Sequence, residues 1–215
     1  MTRPILVTGF EPFGGEVVNP SAQVAQALHG RRIGGAAVVG IQLPCAFGEA
    51  IAVLRDALAT HQPQLVLALG HAGGRCDLSI ERVAINIDDA RIADNRGVQP
   101  IDEPVVAGGP AAYFTTLPVK AMAAALRQAG TPASVSHSAG TFVCNHVFYG
   151  LQHLLAGENS VRSGFMHLPY LPEQAVGHAS APCLALATMI DGVAAALAAA
   201  LATAHDSKVS EGTLD

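Results

Sequence analysis

Short apolar runs alternate with longer segments of helical periodicity along the 215-residue chain. The apolar runs predict strands at residues 3–9, 36–44, 64–70, 132–138 and 163–169. The periodic segments predict helices that begin near Pro20, Ala46, Leu117, Thr141 and Pro182. This alternation is typical of a mostly parallel sheet that helices cover on both faces.

Two further segments have other patterns. Residues 78–92 alternate with a period of two, which predicts a hairpin or an edge ribbon. Residues 93–113 are polar and contain Gly and Pro throughout, which predicts a long ordered loop. Without an internal repeat or a linker, residues 1–215 are predicted to form one α/β domain. Its polar end, from about residue 205 to residue 215, is predicted to be a flexible tail.

The apolar segment at residues 182–204 is long enough to span a membrane, but Asp191 interrupts it. Its large apolar residues form one stripe at helical spacing: Leu186, Ile190, Val193, Leu197 and Leu201. A stripe on one side indicates a helix that packs on a protein core, so we predict a packing helix here.

Composition excludes several classes of protein. Half of the residues are hydrophobic, the net charge is −5, and no segment is rich in Lys or Arg, which argues against nucleic-acid and membrane partners. The N-terminal apolar run is too short for a signal peptide, so a cytoplasmic location is predicted. The four cysteines form no C-x-x-C pair and have no histidine at ligand spacing, which argues against a metal site.

Cys144 is the candidate nucleophile. It lies in the first turn of the helix predicted from Thr141, where unpaired backbone N–H groups can stabilise a thiolate or an oxyanion. It also shares a helical face with Val147, Phe148, Leu151 and Leu155, which is the ordinary setting of an inert core cysteine.

A cysteine nucleophile needs a base, and the sequence offers several histidines. His146 and His153 fall on the far side of the helix from Cys144 and are predicted to point outward. His71, His137 and His167 lie at strand ends, and sites in such sheets form at the strands' carboxyl ends. The pattern alone does not rank these three.

Glu81 is the candidate carboxylate. It falls on the apolar face of the alternating segment, where a charge must be paired. Its partner is either an arginine (Arg75, Arg82 or Arg91) or an imidazole that it orients for catalysis.

Seven motifs, in order, resemble the pyroglutamyl-peptidase I family: VTGFEPFGG, GHAGGR, ERVAIN, DDARIADN, GPAAYFTTLP, AGTFVCNHVFYG and GFMHLPYLPEQ. The resemblance implies a three-layer α/β/α domain around a twisted, mostly parallel mixed sheet. It also implies a cytoplasmic homotetramer or homodimer that needs no cofactor. The implied activity is hydrolytic removal of N-terminal pyroglutamate from peptides through a thioacyl-enzyme intermediate.

The same resemblance assigns roles to residues. It implies Cys144 as nucleophile, His167 as general base and acid, and Glu81 as the orienting carboxylate. The implied substrate-binding positions, which include apolar walls, a lactam-binding main chain and support for the oxyanion, are Phe10, Phe13, His71, Arg91, Phe142 and Val143. The chain departs from the family at three positions, where His71 replaces Gln, Ala93 replaces Pro and His137 replaces Asn.

Two rival functions remain at this stage. A transferase resembling nucleoside phosphorylases would use the Gly-rich loops to hold phosphate and would not need Cys144. A non-catalytic binder of pyroglutamyl N-termini would retain the three residues in positions that do not support turnover.

Overall fold

The computed structural model describes residues 2–212. The strands are β1 (Ile5–Phe10), β2 (Arg32–Ile33), β3 (Ala36–Leu43), β4 (Leu65–His71), β5 (Leu78–Glu81), β6 (Val83–Ile85), β7 (Ala112–Phe114), β8 (Ala133–Ser136) and β9 (Arg162–Leu168). The helices are α1 (Pro20–Leu28), α2 (Glu49–His61), α3 (Val119–Gln128), α4 (Val143–Leu154), α5 (Pro172–Ala175) and α6 (Leu186–Ala202). The five predicted strands and the five predicted helices are all present.

Seven strands form the main sheet in the order β2-β3-β1-β4-β9-β5-β8. Strands β3, β1, β4 and β9 are parallel, as the alternation of elements predicts. Strand β5 is antiparallel to β9 and parallel to β8, and β2 is antiparallel to β3. The sheet is therefore mixed and mostly parallel, which confirms the predicted fold class.

Each face of the sheet is covered by helices. Leu65, Leu67 and Leu69 of β4 belong to a core shared with α1, α3 and α6. The alternate residues of β4, Val66 and Ala68, belong to a second core shared with α2 and α4. Because side chains alternate along a strand, this parity shows which face any neighbouring residue of β4 occupies.

The segment at residues 78–92 is divided between two sheets, so neither the predicted hairpin nor the predicted edge ribbon forms. Strand β5 lies inside the main sheet, between β9 and β8. Strand β6 leaves that sheet and pairs with β7, which begins at the end of the predicted loop. The period-two pattern runs through both strands, so it does not indicate that β5 and β6 pair with different strands.

Helix α6 packs against the sheet as predicted. Val193 and Leu197 are fully buried, and Leu186, Ile190 and Leu201 pack against the same core. A membrane span needs a longer or more continuously apolar helix than any that the structure contains between residues 2 and 212.

The chain after α6 returns to α3. Asp206 accepts hydrogen bonds from the backbone N–H groups of Lys120 and Ala121, at 3.1 and 3.0 Å, in the first turn of α3. Glu211 is paired with Arg127, near the other end of α3. The prediction of a flexible tail does not anticipate these contacts, and residues 213–215 lie outside the described part.

Candidate active site

Glu81 and His167 are held on neighbouring antiparallel strands. Glu81 lies opposite Phe165 of β9, and His167 lies opposite Ser79 of β5. The two side chains are therefore diagonal neighbours on the face that α2 and α4 cover. His167 Nδ1 is 2.7 Å from Glu81 Oε1, and both side chains are buried. This contact fixes the orientation of the imidazole and leaves Nε2 available to exchange a proton.

Glu81 also has a second partner. Arg75, in the loop after β4, places Nη2 3.0 Å from the same oxygen, Glu81 Oε1. The sequence left open whether Glu81 pairs with an arginine or with an imidazole, and the carboxylate does both. A fully buried carboxylate is stable only with such partners.

Cys144 reaches this pair from the first turn of α4. Its Sγ atom is 2.8 Å from the point where a Cβ on Gly70 would stand. Gly70 is the register partner of His167, on the adjacent strand. The thiol therefore lies over β4 beside the neighbouring strand β9, on the same face of the sheet as the imidazole of His167. Of the three histidines at strand ends, His167 is the one that the fold brings next to the thiol.

The start of α4 leaves backbone donors free. Its N-cap is Phe142, which has no side-chain oxygen, and within residues 2–212 no side chain caps this helix. The first N–H groups of a helix have no partner inside it. The N–H groups at Val143 and Cys144 can therefore receive a developing oxyanion.

Burial dominates the protonation states of the thiol and the imidazole. It raises the pKa of the Cys144 thiol well above its ordinary value and lowers the pKa of His167. Both shifts favour the uncharged forms, so the resting pair is a thiol and a neutral imidazole. Desolvation thus acts against the thiolate that the helix start is expected to stabilise.

An apolar cluster stands above the start of α4. Phe142 packs against Phe13 with ring centroids 5.9 Å apart and against Phe47 at 5.4 Å. Phe13 and Phe142 line a cavity of about 200 Å³ together with Asp89, Arg91, Ile92 and Thr141. Phe13, Phe142 and the exposed Arg91 are thus brought together, as the family resemblance implies.

His71 is turned away from the thiol. It follows the parity of Leu69, so its ring faces the other helical layer, where it contacts Tyr170 at a centroid distance of 4.6 Å. Within the described residues its buried Nε2 has no hydrogen-bond partner. Burial lowers the pKa of His71 to about 4, and the nearby Glu16 only partly opposes this. The ring nevertheless lies near the cavity walls: its centroid is 6.2 Å from that of Phe13, and it lines an adjoining cavity of about 280 Å³ with Phe13, Arg91 and Ile92.

Some candidate residues are placed elsewhere. Phe10 is buried against Phe165 in the core and does not line the cavity. The side chain of Val143 is also in the core, so this residue can offer substrate only its main chain. Ala93 and His137 are exposed.

His146 is buried, so the prediction that it points outward was wrong. Its Nδ1 is 2.7 Å from Asp88 Oδ2, and its Nε2 accepts the N–H of Gly48 at 2.9 Å. An imidazole can be buried when both ring nitrogens are bonded, and these bonds leave neither nitrogen for the thiol. The partners lie 58 and 98 residues away, beyond the reach of a helical-face argument. His153 is half-buried and contacts the Tyr113 hydroxyl at 2.9 Å.

Gly70 and Phe47 have roles that the sequence did not reveal. A glycine near the end of a fully buried strand is a signal of close approach by another group, and Gly70 carried that signal. Phe47 lies in an ordinary loop, and nothing in the local pattern distinguishes it from a core aromatic residue.

These contacts suit attack on a carbonyl group. A thiol that is protonated at rest needs a base to become nucleophilic, and the Glu81–His167 pair lies where that base is needed. Fold and site together define the class: a cysteine-dependent hydrolase built on a mixed sheet between two layers of helices. A family model described as pyroglutamyl peptidase matches residues 3–203, and the chain belongs to this family.

Similar proteins cover almost the whole chain. The pyrrolidone-carboxylate peptidase of Cupriavidus necator is 56% identical over 214 residues, which are 99% of this chain and 99% of that protein. Among solved structures, pyroglutamyl peptidase I of Bacillus amyloliquefaciens superposes with a TM-score of 0.94 at 44% identity, covering 98% of this chain and 100% of that one. The pyrrolidone carboxyl peptidase of Thermococcus litoralis gives a TM-score of 0.93 at 38% identity, covering 97% and 100%.

Proposed function

We propose that this chain hydrolyses the amide bond that follows an N-terminal pyroglutamyl residue, with Cys144 as nucleophile, His167 as base and acid, and Glu81 as the orienting carboxylate. The observation that carries the proposal is the 2.7 Å contact between Glu81 and His167 beside the thiol over Gly70, in a chain of the pyroglutamyl peptidase family. The order of the strands supports it, since the three groups come from distant parts of the sequence and meet on one face.

Reaction begins with proton transfer from Cys144 Sγ to His167 Nε2. The sulfur attacks the scissile carbonyl carbon, and the resulting oxyanion is held by the free N–H groups at the start of α4, with Arg91 nearby. The imidazolium then donates its proton to the leaving amine as the carbon–nitrogen bond breaks. A thioester to Cys144 remains. His167 next takes a proton from water, and the hydroxide displaces the thiolate to release pyroglutamic acid. The imidazolium then returns its proton to the Cys144 sulfur, which restores the starting pair.

Glu81 makes each of these steps easier. It holds the proton of Nδ1, so Nε2 is the nitrogen that faces the thiol, and its charge stabilises the imidazolium that forms. Because burial disfavours that cation, the stabilisation matters most after the proton has moved.

The cavity above α4 fits a small neutral ring. Pyroglutamate is a five-membered lactam without a charged amino group, so apolar walls such as Phe13 and Phe142 suit it. The main chain around residue 71, at the end of β4, is the segment that the family resemblance implies for polar contacts to the lactam. If the lactam is bound through this main chain, His in place of the family's Gln at position 71 is tolerated, although the His71 ring lies near Phe13 as well as Tyr170.

The test is hydrolysis of fluorogenic pyroglutamyl and prolyl amides by the purified protein, with Cys144→Ser as the matched control. We expect turnover of the pyroglutamyl amide, little turnover of the prolyl amide, and none with the variant. Proline has the same ring but lacks the lactam carbonyl, so equal rates on both amides would refute the proposed specificity.

Two further measurements on the same purified proteins separate the rival functions. Phosphate-dependent cleavage of nucleosides that survives Cys144→Ser would indicate a transferase. Stoichiometric binding of a pyroglutamyl peptide without turnover would indicate a binder. The cytoplasmic location and the homo-oligomeric state remain predictions.

A further inference from the structure

Arg75 connects three segments of the site. It lies in the loop after β4, and its Nη2 is 3.0 Å from Glu81 Oε1 on β5. The same nitrogen donates to the carbonyl of Ser138 at 3.0 Å, in the loop that leads to α4 and Cys144. One guanidinium therefore touches both the carboxylate behind the imidazole and the approach to the nucleophile.

The carboxylate needs this cation. Glu81 is fully buried, and its other oxygen, Oε2, has no hydrogen-bond partner among the described residues. A neutral imidazole donates one hydrogen bond to Glu81 but supplies no counter-charge. Without Arg75, this buried carboxylate would lose its neighbouring cation and the contact that holds Oε1 in place, so its bond to Nδ1–H would be less firmly oriented.

We propose that Arg75 is a positioning residue for the reaction: it supplies the counter-charge of the buried Glu81 carboxylate, holds Oε1 toward His167, and fixes the loop before the nucleophile. The inference rests on the proposed function. Arg75 makes no contact with the reacting atoms and acts through Glu81 and Ser138.

The positive charge of Arg75 affects the pKa values of nearby groups, which an uncharged side chain packed in the same place would not do. Removal of a positive charge raises the pKa of every titratable group near it, whether that group is an acid or a base. Burial is the main influence on the pKa of both Cys144 and His167, and the Arg75 charge lowers both. The other titratable groups that influence this region are Glu81 on β5, Cys45 before α2 and His71 on β4.

The experiment compares kcat and KM across pH for wild type, Arg75→Gln and Arg75→Lys on a pyroglutamyl amide. For Arg75→Gln we expect both limbs of the pH–rate profile to move up by about 0.5 to 1 pH unit, because Arg75 is partly exposed and its field is partly screened. We expect kcat to fall about 10- to 100-fold with little change in KM, since the imidazole is less well oriented. Arg75→Lys keeps the charge, so its limbs should stay at the wild-type positions while kcat falls about tenfold.

Arg127→Gln is the control for loss of one positive charge. Arg127 pairs with Glu211 at the end of α3, outside the site, so its limbs and kcat should match wild type. If Arg75→Gln has the wild-type profile and kcat, Arg75 has no positioning role. If Arg75→Gln lacks the far-ultraviolet circular dichroism of a folded protein, Arg75→Lys decides: a tenfold lower kcat supports the role and a wild-type kcat overturns it. Failure of wild type to cleave the amide would instead refute the proposed function itself.

Discussion

Cys144 Sγ lies 2.8 Å from the position that a Cβ atom on Gly70 would occupy. The same point is 2.7 Å from Cζ of Phe165, a fully buried ring. Real Cβ atoms do not approach other heavy atoms this closely, so the site exists only because residue 70 has no side chain. The thiol, the ring and the sheet are packed around that missing carbon.

The first prediction concerns this position. Gly70→Ala should displace the thiol or the Phe165 ring, lowering kcat/KM at least about 100-fold and the free energy of unfolding by about 1 to 3 kcal/mol. Amide hydrolysis and urea unfolding measure the two effects. Gly177→Ala is the matched control, because the nearest atom to its added carbon is 3.5 Å away. Wild-type activity in Gly70→Ala would show that the thiol need not stand at this point.

The second prediction ranks three polar residues. His167→Ala should lose turnover by about 10³-fold or more, because within residues 2–212 it is the imidazole that the fold places on the thiol's face of the sheet. Glu81→Gln should lose less, since the imidazole remains but is poorly oriented. His137→Asn should keep most activity, since His137 is exposed. All three are assayed on one substrate after circular dichroism has confirmed folding. An active His167→Ala beside an inactive His137→Asn would exclude the proposed base.

The third prediction concerns alkylation of Cys144. Burial raises the pKa of this thiol, so its reaction with iodoacetamide should depend on removal of the proton by His167. We expect His167→Ala to slow labelling of Cys144 at least about tenfold at pH 7. The exposed Cys76 is an internal control whose rate should not change. Peptide mapping by mass spectrometry measures both. Equal labelling of Cys144 in the two proteins would mean that its reactivity does not depend on the imidazole.

The fourth prediction concerns stability in acid. The folded-state pKa of His71 is about 4 because the ring is buried, below its ordinary value of 6.5. Between these values the unfolded chain binds more protons, so stability contributed by His71 is complete above pH 6.5 and is lost as pH falls toward 4. His71→Gln should remove this loss, which amounts to about 3 kcal/mol at pH 4.

Urea unfolding at pH 7.5 and at several values down to pH 4 tests this prediction. The difference between the two pH extremes should be smaller for His71→Gln than for wild type. His137→Gln provides the comparison, since this exposed histidine should leave the difference unchanged. An unaltered acid response in His71→Gln would show that other groups cause the loss.

Much of the fold could be predicted because its signals are local. The stripe of Val147, Phe148 and Leu151 predicted the buried face of α4, and these residues are in the core. Strand β5 could not be assigned to the main sheet, because its four residues continue the alternation of β6. Its antiparallel position depends on pairing with β9, more than 80 residues later, which a local pattern does not specify.

The polar contacts of the site show the same limit. The sequence proposed both kinds of partner for Glu81 but could not state that one oxygen would serve both. His146 was predicted to point outward but is buried, because its partner, Asp88, is distant in the chain. Phe10 and Phe13 belong to one motif, yet only Phe13 lines the cavity, since Phe10 ends a buried strand. Such differences are decided by tertiary packing.

The pairing of β5 with β9 places the catalytic pair Glu81 and His167 on central strands, whereas the cavity walls lie on loops. Hydrogen-bonded strands inside a sheet hold their spacing firmly, so the backbone positions of Glu81 and His167 do not depend on the loops around the cavity. The walls around Phe13 and Ile92, in contrast, belong to loops. Loops accept substitutions and insertions far more readily than central strands do. Variation of the residues near Phe13 and Ile92 is therefore the way to seek a hydrolase for a different N-terminal acyl group. Strands β5 and β9, which carry Glu81 and His167, would stay unchanged.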